Sequence, residues 1–294
     1  AFVAEADLVL AVGTKLAPSD TILEHEGLID PARQQIIQID IEPKNANWTF
    51  PCDLSLCADA AAAMDAVAAV RDFRAASGSG TAEQSVEQVA AYRRKYGFFD
   101  EQTSSFGELP LLPQQVIAEM QAVCPENTIY TFDAGENRLF MTRFLQTRQP
   151  GTFLSPGATG GMGYAIPAAL AAKLLYPEQP VVAVCGDGGF AMSMNGLLTS
   201  LEESLPIVVV VMNNSMLGWV KHFQHDRTIA SEFSDVNAAE ISRAMGCTGL
   251  RAESPESFAE ALQTALAGSG PAVVDVKVSG QVSFKDILSP LLGS

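Results

Sequence analysis

The chain has 294 residues, of which 48% are hydrophobic and 18% are charged, and its formal net charge is −16. This length can hold two domains, and the composition is typical of globular proteins with much buried sheet. The negative charge argues against nucleic acid and anionic membranes as partners, and no apolar run reaches the roughly 20 residues of a membrane span.

Cysteine and histidine usage gives no sign of a metal cluster. The five cysteines show neither a C-x-x-C pair nor a zinc-type spacing, and Cys185 falls in an apolar run as a core thiol would. An odd number of cysteines, with nothing resembling a signal peptide, predicts a reducing cytoplasm. His222 and His225 are expected to be exposed to solvent. The sequence begins without methionine, inside an α/β pattern, so we expect a fragment of a longer chain.

Residues 1–74 predict part of an α/β domain. Apolar runs at Leu8–Val12 and Ile36–Ile41 predict strands, and the alanine-rich stretch 58–74 predicts a helix that starts at Asp59 or just before it. Residues 75–110 contain a Ser-Gly repeat, a polar helical stretch and a proline-bounded stretch, which together predict a linker. A second domain is then expected over residues 111–294.

The first part of that second domain contains two glycine-bearing turns. A helix is predicted over Pro113–Val123, then a strand over Thr128–Phe132, and a further helix from Arg138. Gly135 lies at the strand-to-helix turn, where backbone N–H groups can face an anion. Residues 157–163 then hold four glycines in seven positions ahead of an apolar helix over 165–175, which indicates backbone held close to a ligand.

The most informative stretch is Gly-Asp-Gly-Gly-Phe at residues 186–190, followed by Asn-Asn at 213–214. β-Branched runs precede both, so each predicts a buried parallel strand, with a helix over 194–205 between them. The carboxyl ends of parallel strands share one edge, where such sheets bind ligands. Carboxylate and amide oxygens suit Mg²⁺, and glycines let backbone N–H groups approach phosphate oxygens. The sequence therefore predicts a magnesium-diphosphate site.

The remaining elements complete a parallel sheet. Two helices, over 238–245 and 255–267, and two strands, near 248–251 and over 272–276, continue the alternating pattern. The predicted fold is α/β, with a doubly wound parallel sheet preceded by a partial Rossmann-like domain.

At residues 186–190 and 213–214 the sequence resembles the thiamin diphosphate-dependent enzymes, and among them the acetolactate synthase-like family. The resemblance implies that residues 1–74 are the second half of a middle domain and that 111–294 bind the diphosphate. It implies metal ligation by Asp187, Asn214 and the carbonyl of Met216. It implies Met162 as the wedge that bends the cofactor into a V shape. The implied cofactor-binding residues are Gly135, Asn137, Gly160, Met162, Gly186, Asp187, Gly188, Gly189 and Asn214.

Some positions depart from the pattern of that family. Glu136 is expected to point away, since a carboxylate beside a diphosphate is repulsive. Phe223 stands where acetolactate synthases commonly carry tryptophan, so the preference for the acceptor stays open. Lys15 stands where they usually carry arginine. FAD, which Asp40 or Glu42 could contact through a ribose, is therefore expected less than a purely structural middle domain.

The resemblance implies joining of two 2-oxo acids after decarboxylation, in a homodimer or homotetramer whose active site lies at a subunit interface. The glutamate that activates the cofactor lies in an N-terminal domain in that family, and it has no candidate here. We therefore expect no turnover from this chain alone. Alternatives left open are a 2-oxo acid decarboxylase or aldehyde lyase and, from another class, a non-catalytic module that binds Mg²⁺ or a nucleotide. A Rossmann dehydrogenase is disfavoured, because no G-x-G-x-x-G follows a strand.

Overall fold

The computed structural model describes residues 2–18, 20–21, 24–70, 82–95, 110–157, 159–224 and 227–285. The chain divides into two compact units, residues 1–95 and 96–294. That division falls inside the range 75–110 for which the sequence predicts a linker. Within the described residues, no helix has both the length and the apolar character needed to span a bilayer.

The first unit contains a three-stranded parallel sheet in the order β1-β2-β3. Its elements, in chain order, are α1 (Phe2–Glu5), β1 (Leu8–Val12), β2 (Gln35–Asp40), a 3₁₀ turn (Pro43–Asn45), β3 (Leu54–Cys57), α2 (Ala60–Ala69) and α3 (Ala82–Lys95). A small core of Ile29, Ile36 and Phe50 supports the sheet.

The sequence did not predict β3, because four residues that alternate apolar and polar are a weak strand signal. The start of α2 agrees with the prediction, since the Asp59 side chain accepts a hydrogen bond from Ala62 N and caps the helix. The helix ends at Ala69, and the rest of the predicted stretch, 71–74, lies outside the described residues.

The second unit contains a six-stranded, fully parallel sheet in the order β5-β4-β6-β7-β9-β8. Its elements, in chain order, are α4 (Pro113–Val123), β4 (Ile129–Phe132), α5 (Glu136–Phe144), β5 (Phe153–Leu154), α6 (Ala165–Leu175), β6 (Val181–Gly186), α7 (Asp187–Ser193), α8 (Gly196–Glu202), β7 (Val208–Asn213), α9 (Gly218–Phe223), α10 (Ala238–Ala244), β8 (Thr248–Ala252), α11 (Pro255–Ala267) and β9 (Ala272–Lys277).

Helices cover both faces of this sheet, because successive residues of a strand point to opposite faces. In β6, Val182 and Val184 belong to a core that includes residues of α4, α5 and α11. Val181, Ala183 and Cys185 belong to a second core that includes residues of α6, α8 and α10. The predicted doubly wound parallel sheet is confirmed, and so is the prediction that Cys185 is a buried core thiol.

One prediction between β6 and β7 was wrong. A single helix was expected over 194–205, but two helices form: α7, with Gly186 as its N-cap and Asp187 as its first residue, and α8, which covers only Gly196–Glu202. Burial explains the extra helix, because Phe190 is fully buried between α6 and β6 neighbours in the second core, and this packing outweighs the low helix propensity of glycine.

Candidate functional site

A cleft opens at the carboxyl ends of β4 and β6, which are neighbours in the sheet. From β4 the chain moves outward to β5 and then returns to the other side of β4 as β6, so the strand order reverses there. Parallel sheets bind ligands at such a reversal. The cleft encloses about 660 Å³, including its open mouth.

The cleft brings together residues from four separate parts of the sequence. The sequence-predicted site residues that line it are Gly135, Asn137, Met162, Gly186, Asp187, Gly188, Gly189, Asn214 and Met216. Gly160 is not among the lining residues. It adopts a left-handed conformation with φ of 59°, and a Cβ there would lie 3.0 Å from Arg138 Nη1.

Asp187 presents a buried carboxylate at the head of α7, with 2% of its surface exposed. Its Oδ1 accepts a hydrogen bond from Gly188 N at 2.7 Å, and its Oδ2 accepts from Asn214 N at 3.1 Å and Ser215 N at 2.6 Å. Burial raises the pKa of Asp187, against the opposing effect of these N–H donors and of the charge on Lys277. A cation bound here would therefore offset the free-energy cost of keeping the buried carboxylate ionised.

Asn214 and Met216 lie in a tight turn after β7. Asn214 Oδ1 accepts a hydrogen bond from Met216 N at 3.3 Å, and Ser215 between them has a φ of 59°. Two backbone hydrogen bonds hold the turn, from Phe233 N to Ser215 O and from Leu217 N to Ser231 O. The hydrogen bond from Asn214 N therefore holds the backbone of this turn beside the Asp187 carboxylate, and the bond from Met216 N fixes the Asn214 amide oxygen within the turn.

The oxygen atoms of Asp187, Asn214 and Met216 suit Mg²⁺ better than a softer metal as ligands. Carboxylate, amide and carbonyl oxygens are hard ligands, and Mg²⁺ commonly takes only one or two carboxylates and completes its shell with water and phosphate. Elsewhere in the described residues, no group of three or more His, Cys, Asp or Glu side chains is placed to share a metal ion.

Glycines form one wall of the cleft because side chains would not fit. A Cβ at Gly188 would lie 2.6 Å from Leu217 Cδ2 and 3.1 Å from Met162 Cε. A Cβ at Gly189 would lie 2.1 Å from Asp133 Oδ2. Gly135 has a φ of 105°, a conformation that other residues rarely adopt. Because these positions carry no side chain, the backbone of this wall can come close to a ligand.

Asp133 is a site-supporting residue that the sequence analysis did not single out. It is fully buried at the end of β4, and its oxygens accept hydrogen bonds from Gly163 N at 2.9 Å and Tyr164 N at 2.7 Å. Burial raises its pKa in spite of these bonds. It fixes the end of the glycine-rich loop that carries Met162. Its position after β4, which matches that of Asp187 after β6, is the signal that could have identified it.

Comparisons with known proteins match both units. Residues 133–276 match the family model "Thiamine pyrophosphate enzyme, C-terminal TPP binding domain", and residues 1–67 match the model "Thiamine pyrophosphate enzyme, central domain". The chain belongs to the thiamine pyrophosphate enzymes. Thiamine pyrophosphate is thiamin diphosphate under its other name, so the predicted recognition is confirmed, including the likeness to acetolactate synthase.

Three similar proteins show the range within this family. A sulfoacetaldehyde acetyltransferase of Castellaniella defragrans is 30% identical over 90% of this chain and 47% of its own length. The mitochondrial acetolactate synthase catalytic subunit of Aspergillus candidus is 28% identical over 92% of this chain and 40% of its own. A pyruvate oxidase of Lactiplantibacillus plantarum is 27% identical over 94% and 45%. The chain spans about half the length, or less, of these curated relatives.

One prediction about this thiamine pyrophosphate enzyme was wrong. His222, expected in solvent, has only 15% of its side chain exposed, and its Nδ1 lies 2.7 Å from Glu136 Oε1. The same Glu136 oxygen accepts hydrogen bonds from Ser283 Oγ and Phe284 N, both at 3.2 Å. His225 lies outside the described residues. These three partners hold the Glu136 carboxylate. That it points away from a bound diphosphate stays a prediction.

Some neighbouring side chains line the cleft, and others pack around it. Asn137 lines the cleft and donates from Nδ2 to Asp133 O at 3.2 Å. Trp219, which also lines the cleft, stacks on Phe223 with ring centroids 5.9 Å apart. The ammonium of Lys285 lies 3.8 Å from the Phe223 ring centroid, so Phe223 is held by packing on two sides.

In the central-domain unit, the candidate flavin contacts are engaged within their own segment. Asp40 Oδ1 accepts from Glu42 N at 2.9 Å and Asn45 Nδ2 at 3.1 Å, and Glu42 accepts from Lys44 N. The Lys15 ammonium lies 4.6 Å from the Trp48 ring centroid. The preference for a purely structural middle domain over one that binds FAD stays a prediction.

Proposed function

We propose that the cleft binds Mg²⁺ and the diphosphate of thiamin diphosphate, with Asp187, Asn214 and the Met216 carbonyl as metal ligands. The observation that carries this proposal is the buried Asp187 carboxylate beside the Asn214 turn, in a cleft whose glycine wall excludes side chains. The match of residues 133–276 to the pyrophosphate-binding domain supports it. In an acidic chain, Mg²⁺ and backbone N–H groups supply the positive potential that a diphosphate needs.

Separate parts of the cleft would hold the two ends of the cofactor. The backbone at Gly135, Gly186, Gly188 and Gly189, with the Asn137 side chain, would face the diphosphate. The Met162 N–H in the cleft, with the Gly160 carbonyl outside the cleft lining, would meet the pyrimidine edge. The Met162 side chain, 37% exposed and lining the cleft, would lie between the two rings, where a flexible thioether packs well.

We propose further that the whole enzyme acts on 2-oxo acids, joining two of them after decarboxylation as acetolactate synthase does. Thiamin diphosphate supplies a nucleophilic carbon and an acceptor for the electrons left when carbon dioxide departs. The residues of this chain would fix the diphosphate and the bent shape of the cofactor, and the apolar walls formed by Leu217, Trp219 and Val220 would keep water from the reacting end.

Three accompanying proposals rest on the same family membership. The enzyme is a homodimer or homotetramer with its active site at a subunit interface, and it is cytoplasmic, which its five free cysteines support. The 294-residue chain by itself does not turn over. The support for the last proposal is that curated relatives are about twice as long and that the sequence offers no candidate for the activating glutamate.

Cofactor binding by the 294-residue chain tests the central proposal. Of the two tryptophans, Trp219 lines the cleft and Trp48 lies in the other unit, so Trp48→Phe leaves one reporter at the site. We expect thiamin diphosphate to change Trp219 fluorescence only when Mg²⁺ is present, and NAD and ADP to give no saturable change.

The competing classes give different results in the same titration. Saturable binding of ADP or NAD without binding of thiamin diphosphate would favour a nucleotide-binding module and would contradict the proposal. Steady release of carbon dioxide from pyruvate by this chain alone would leave cofactor binding intact but would contradict the proposed lack of turnover.

A further inference from the structure

A polar cluster lies directly beside the proposed metal-binding turn without lining the cleft. It consists of Asn213, Asp235, Arg251, Asp275 and Lys277, which come from β7, the segment before α10, β8 and β9. Parallel pairing places Asn213 opposite Lys277 and Val211 opposite Asp275. Strand register therefore brings the lysine to the strand end from which the Asn214 turn begins.

Every polar atom of the Asn213 amide has a partner. Asn213 is fully buried, and its Nδ2 donates to Val236 O at 2.8 Å and to Asp275 Oδ1 at 2.9 Å. Its Oδ1 accepts from Lys277 Nζ at 3.3 Å. Asp275 is also fully buried and accepts from Ala238 N at 3.0 Å. A buried network of this kind has one arrangement in which all its members are satisfied, and it fixes the end of β7.

Lys277 extends this network to the turn itself. Its ammonium lies 3.5 Å from Ser215 Oγ and 2.6 Å from Asp235 Oδ1. Ser215 is the left-handed residue of the turn, and its N–H donates to Asp187 Oδ2 at 2.6 Å. One ammonium group thus contacts the residue on each side of Asn214.

The charge of Lys277 is balanced locally. Its bond to Asp235, together with Arg251, lowers the pKa of that carboxyl to about 2, so Asp235 is ionised at neutral pH. Arg251 Nη2 contacts Asp235 at 2.8 Å, and its Nη1 lies 3.5 Å from Asp275. Because its charge is paired, Lys277 can approach a cation site with little repulsion and act through geometry.

We propose that Lys277 is a positioning residue for the divalent cation: by bonding Asn213, Ser215 and Asp235 together, it holds the Asn214 turn at the spacing that Mg²⁺ requires. This inference rests on the proposed function and adds a determinant of metal preference to it. Mg²⁺ demands near-ideal octahedral geometry at about 2.0–2.1 Å, whereas Ca²⁺ accepts longer and more irregular coordination. A loosened turn should therefore penalise Mg²⁺ more than Ca²⁺.

Charge and positioning predict different results for Lys277→Met. Loss of the ammonium charge removes repulsion of the cation but also favours protonation of Asp187, whose pKa that charge lowers, and these effects act on Mg²⁺ and Ca²⁺ alike. Loss of the positioning contacts would weaken Mg²⁺ binding by about 10-fold, the lower end of what outer-shell substitutions cost in metal affinity, and would weaken Ca²⁺ binding less. The difference between the two cations therefore identifies the role.

The test is titration of Mg²⁺ and of Ca²⁺ into the 294-residue chain at saturating thiamin diphosphate, followed by Trp219 fluorescence in the Trp48→Phe background. For Lys277→Met we expect Mg²⁺ affinity to fall about 10-fold and Ca²⁺ affinity to fall less than about threefold. Lys277→Arg should restore most of the Mg²⁺ affinity. Asp235→Asn should change it in the same direction as Lys277→Met, since it frees the ammonium.

Lys173→Met is the control. Lys173 lies on α6, and its ammonium donates to Gln179 O at 2.8 Å ahead of β6, at the opposite end of the strands from the cleft. No hydrogen bond of the Lys173 side chain to Asn213 or Ser215 is present. Equal losses in the two methionine variants, or an unchanged or increased Mg²⁺ affinity in Lys277→Met, would overturn the inference. If Lys277→Met does not fold, Lys277→Gln replaces it under the same criteria.

The same data separate this inference from the proposed function. If the unsubstituted chain shows no Mg²⁺-dependent binding of thiamin diphosphate, the proposed function fails and the inference fails with it. If the unsubstituted chain binds and Lys277→Met binds Mg²⁺ equally well, only the inference fails.

Discussion

Asp40 in the first unit and Asp187 in the second hold similar places in their sheets. Asp40 ends the central strand β2, and Asp187 follows the inner strand β6. The hydrogen bonds of the Asp40 carboxylate come from Glu42 and Asn45, within its own segment. Asp187 also accepts bonds from the turn after the next strand, 27 and 28 residues away in sequence. The Asp187 carboxylate thus bonds residues at two strand ends, whereas the Asp40 carboxylate bonds residues of its own segment.

The strands of the two sheets also differ in how deeply they are buried. Strand β7 is buried along its whole length, and β6 is buried up to Cys185. In the three-stranded sheet, Leu8, Leu10, Leu54 and Leu56 are each more than 40% exposed. Helices on both faces of the six-stranded sheet hold β4, β6 and β7 side by side, so their polar ends meet at fixed distances. In the first unit β3 also ends beside Asp40, with Cys57 paired to it, but the hydrogen bonds described for the Asp40 carboxylate come from its own segment.

Exchanging each aspartate for alanine tests this difference and should give the largest effect. Asp187→Ala removes the buried carboxylate, and we expect Mg²⁺-dependent binding of thiamin diphosphate to weaken by about 100-fold or more, because Mg²⁺ relies on one or two carboxylates. Asp40→Ala should leave that binding within about twofold. Trp219 fluorescence in the Trp48→Phe background measures both.

Thermal unfolding of the two variants is the control for folding. A cofactor affinity reduced equally by Asp40→Ala and Asp187→Ala, at temperatures where both are folded, would contradict the distinction between the two strand ends.

A glycine substitution should give the next largest effect. At Gly189 a Cβ would lie 2.1 Å from Asp133 Oδ2, and Asp133 is clamped by two backbone N–H groups, so it cannot move aside. We expect Gly189→Ala to lower the free energy of unfolding by about 1–3 kcal/mol, as overpacking does, in spite of the better helix propensity of alanine. Urea unfolding followed by Trp219 fluorescence measures it.

Gly270 provides the matched control, because no atom lies within 4 Å of the position that its Cβ would take. Gly270→Ala should change the free energy of unfolding by less than about 0.5 kcal/mol. If both alanine variants are equally stable, the contact with Asp133 is not the reason why position 189 needs glycine.

Local signals in the sequence were enough to predict most strands of the six-stranded sheet. The β-branched runs before residues 186 and 213 predicted β6 and β7, and the helices over Pro113–Val123 and Pro255–Ala267 match the structure at both ends. Proline at the first position and, for the second, the Ser254 cap mark these helix starts locally. The convergence of Asp187 and Asn214 followed from the rule that parallel strands share an edge.

Features that depend on distant contacts were missed or wrongly predicted. Asp133 acquires its role through N–H groups 30 and 31 residues away, and His222 is covered by Glu136, 86 residues away. Helix α7 forms in a glycine-rich segment because Phe190 is buried. Neither spacing nor propensity along the chain contains this information, since tertiary packing decides each case.

Asp133 and Asp187 are both buried acids after neighbouring strands, and a last prediction separates their roles. Asp133 supports the loop and is proposed to bind no metal. In Asp133→Asn an amide N–H₂ replaces one oxygen and opposes Gly163 N–H or Tyr164 N–H, so we expect a loss of about 1–3 kcal/mol in the free energy of unfolding.

The size of this loss should depend on pH. The pKa of Asp133 is raised above its ordinary value of 3.8, chiefly by burial. A raised pKa means that the contribution of Asp133 to stability is complete below pH 3.8 and declines as the pH rises through the folded-state value. The stability difference between the unsubstituted chain and Asp133→Asn should therefore be largest in acid and should shrink toward neutral pH. Urea unfolding across that range measures it, and other groups cancel because they titrate in both proteins. A difference that grows with pH would show that the N–H donors outweigh burial and that Asp133 is stabilised as an anion.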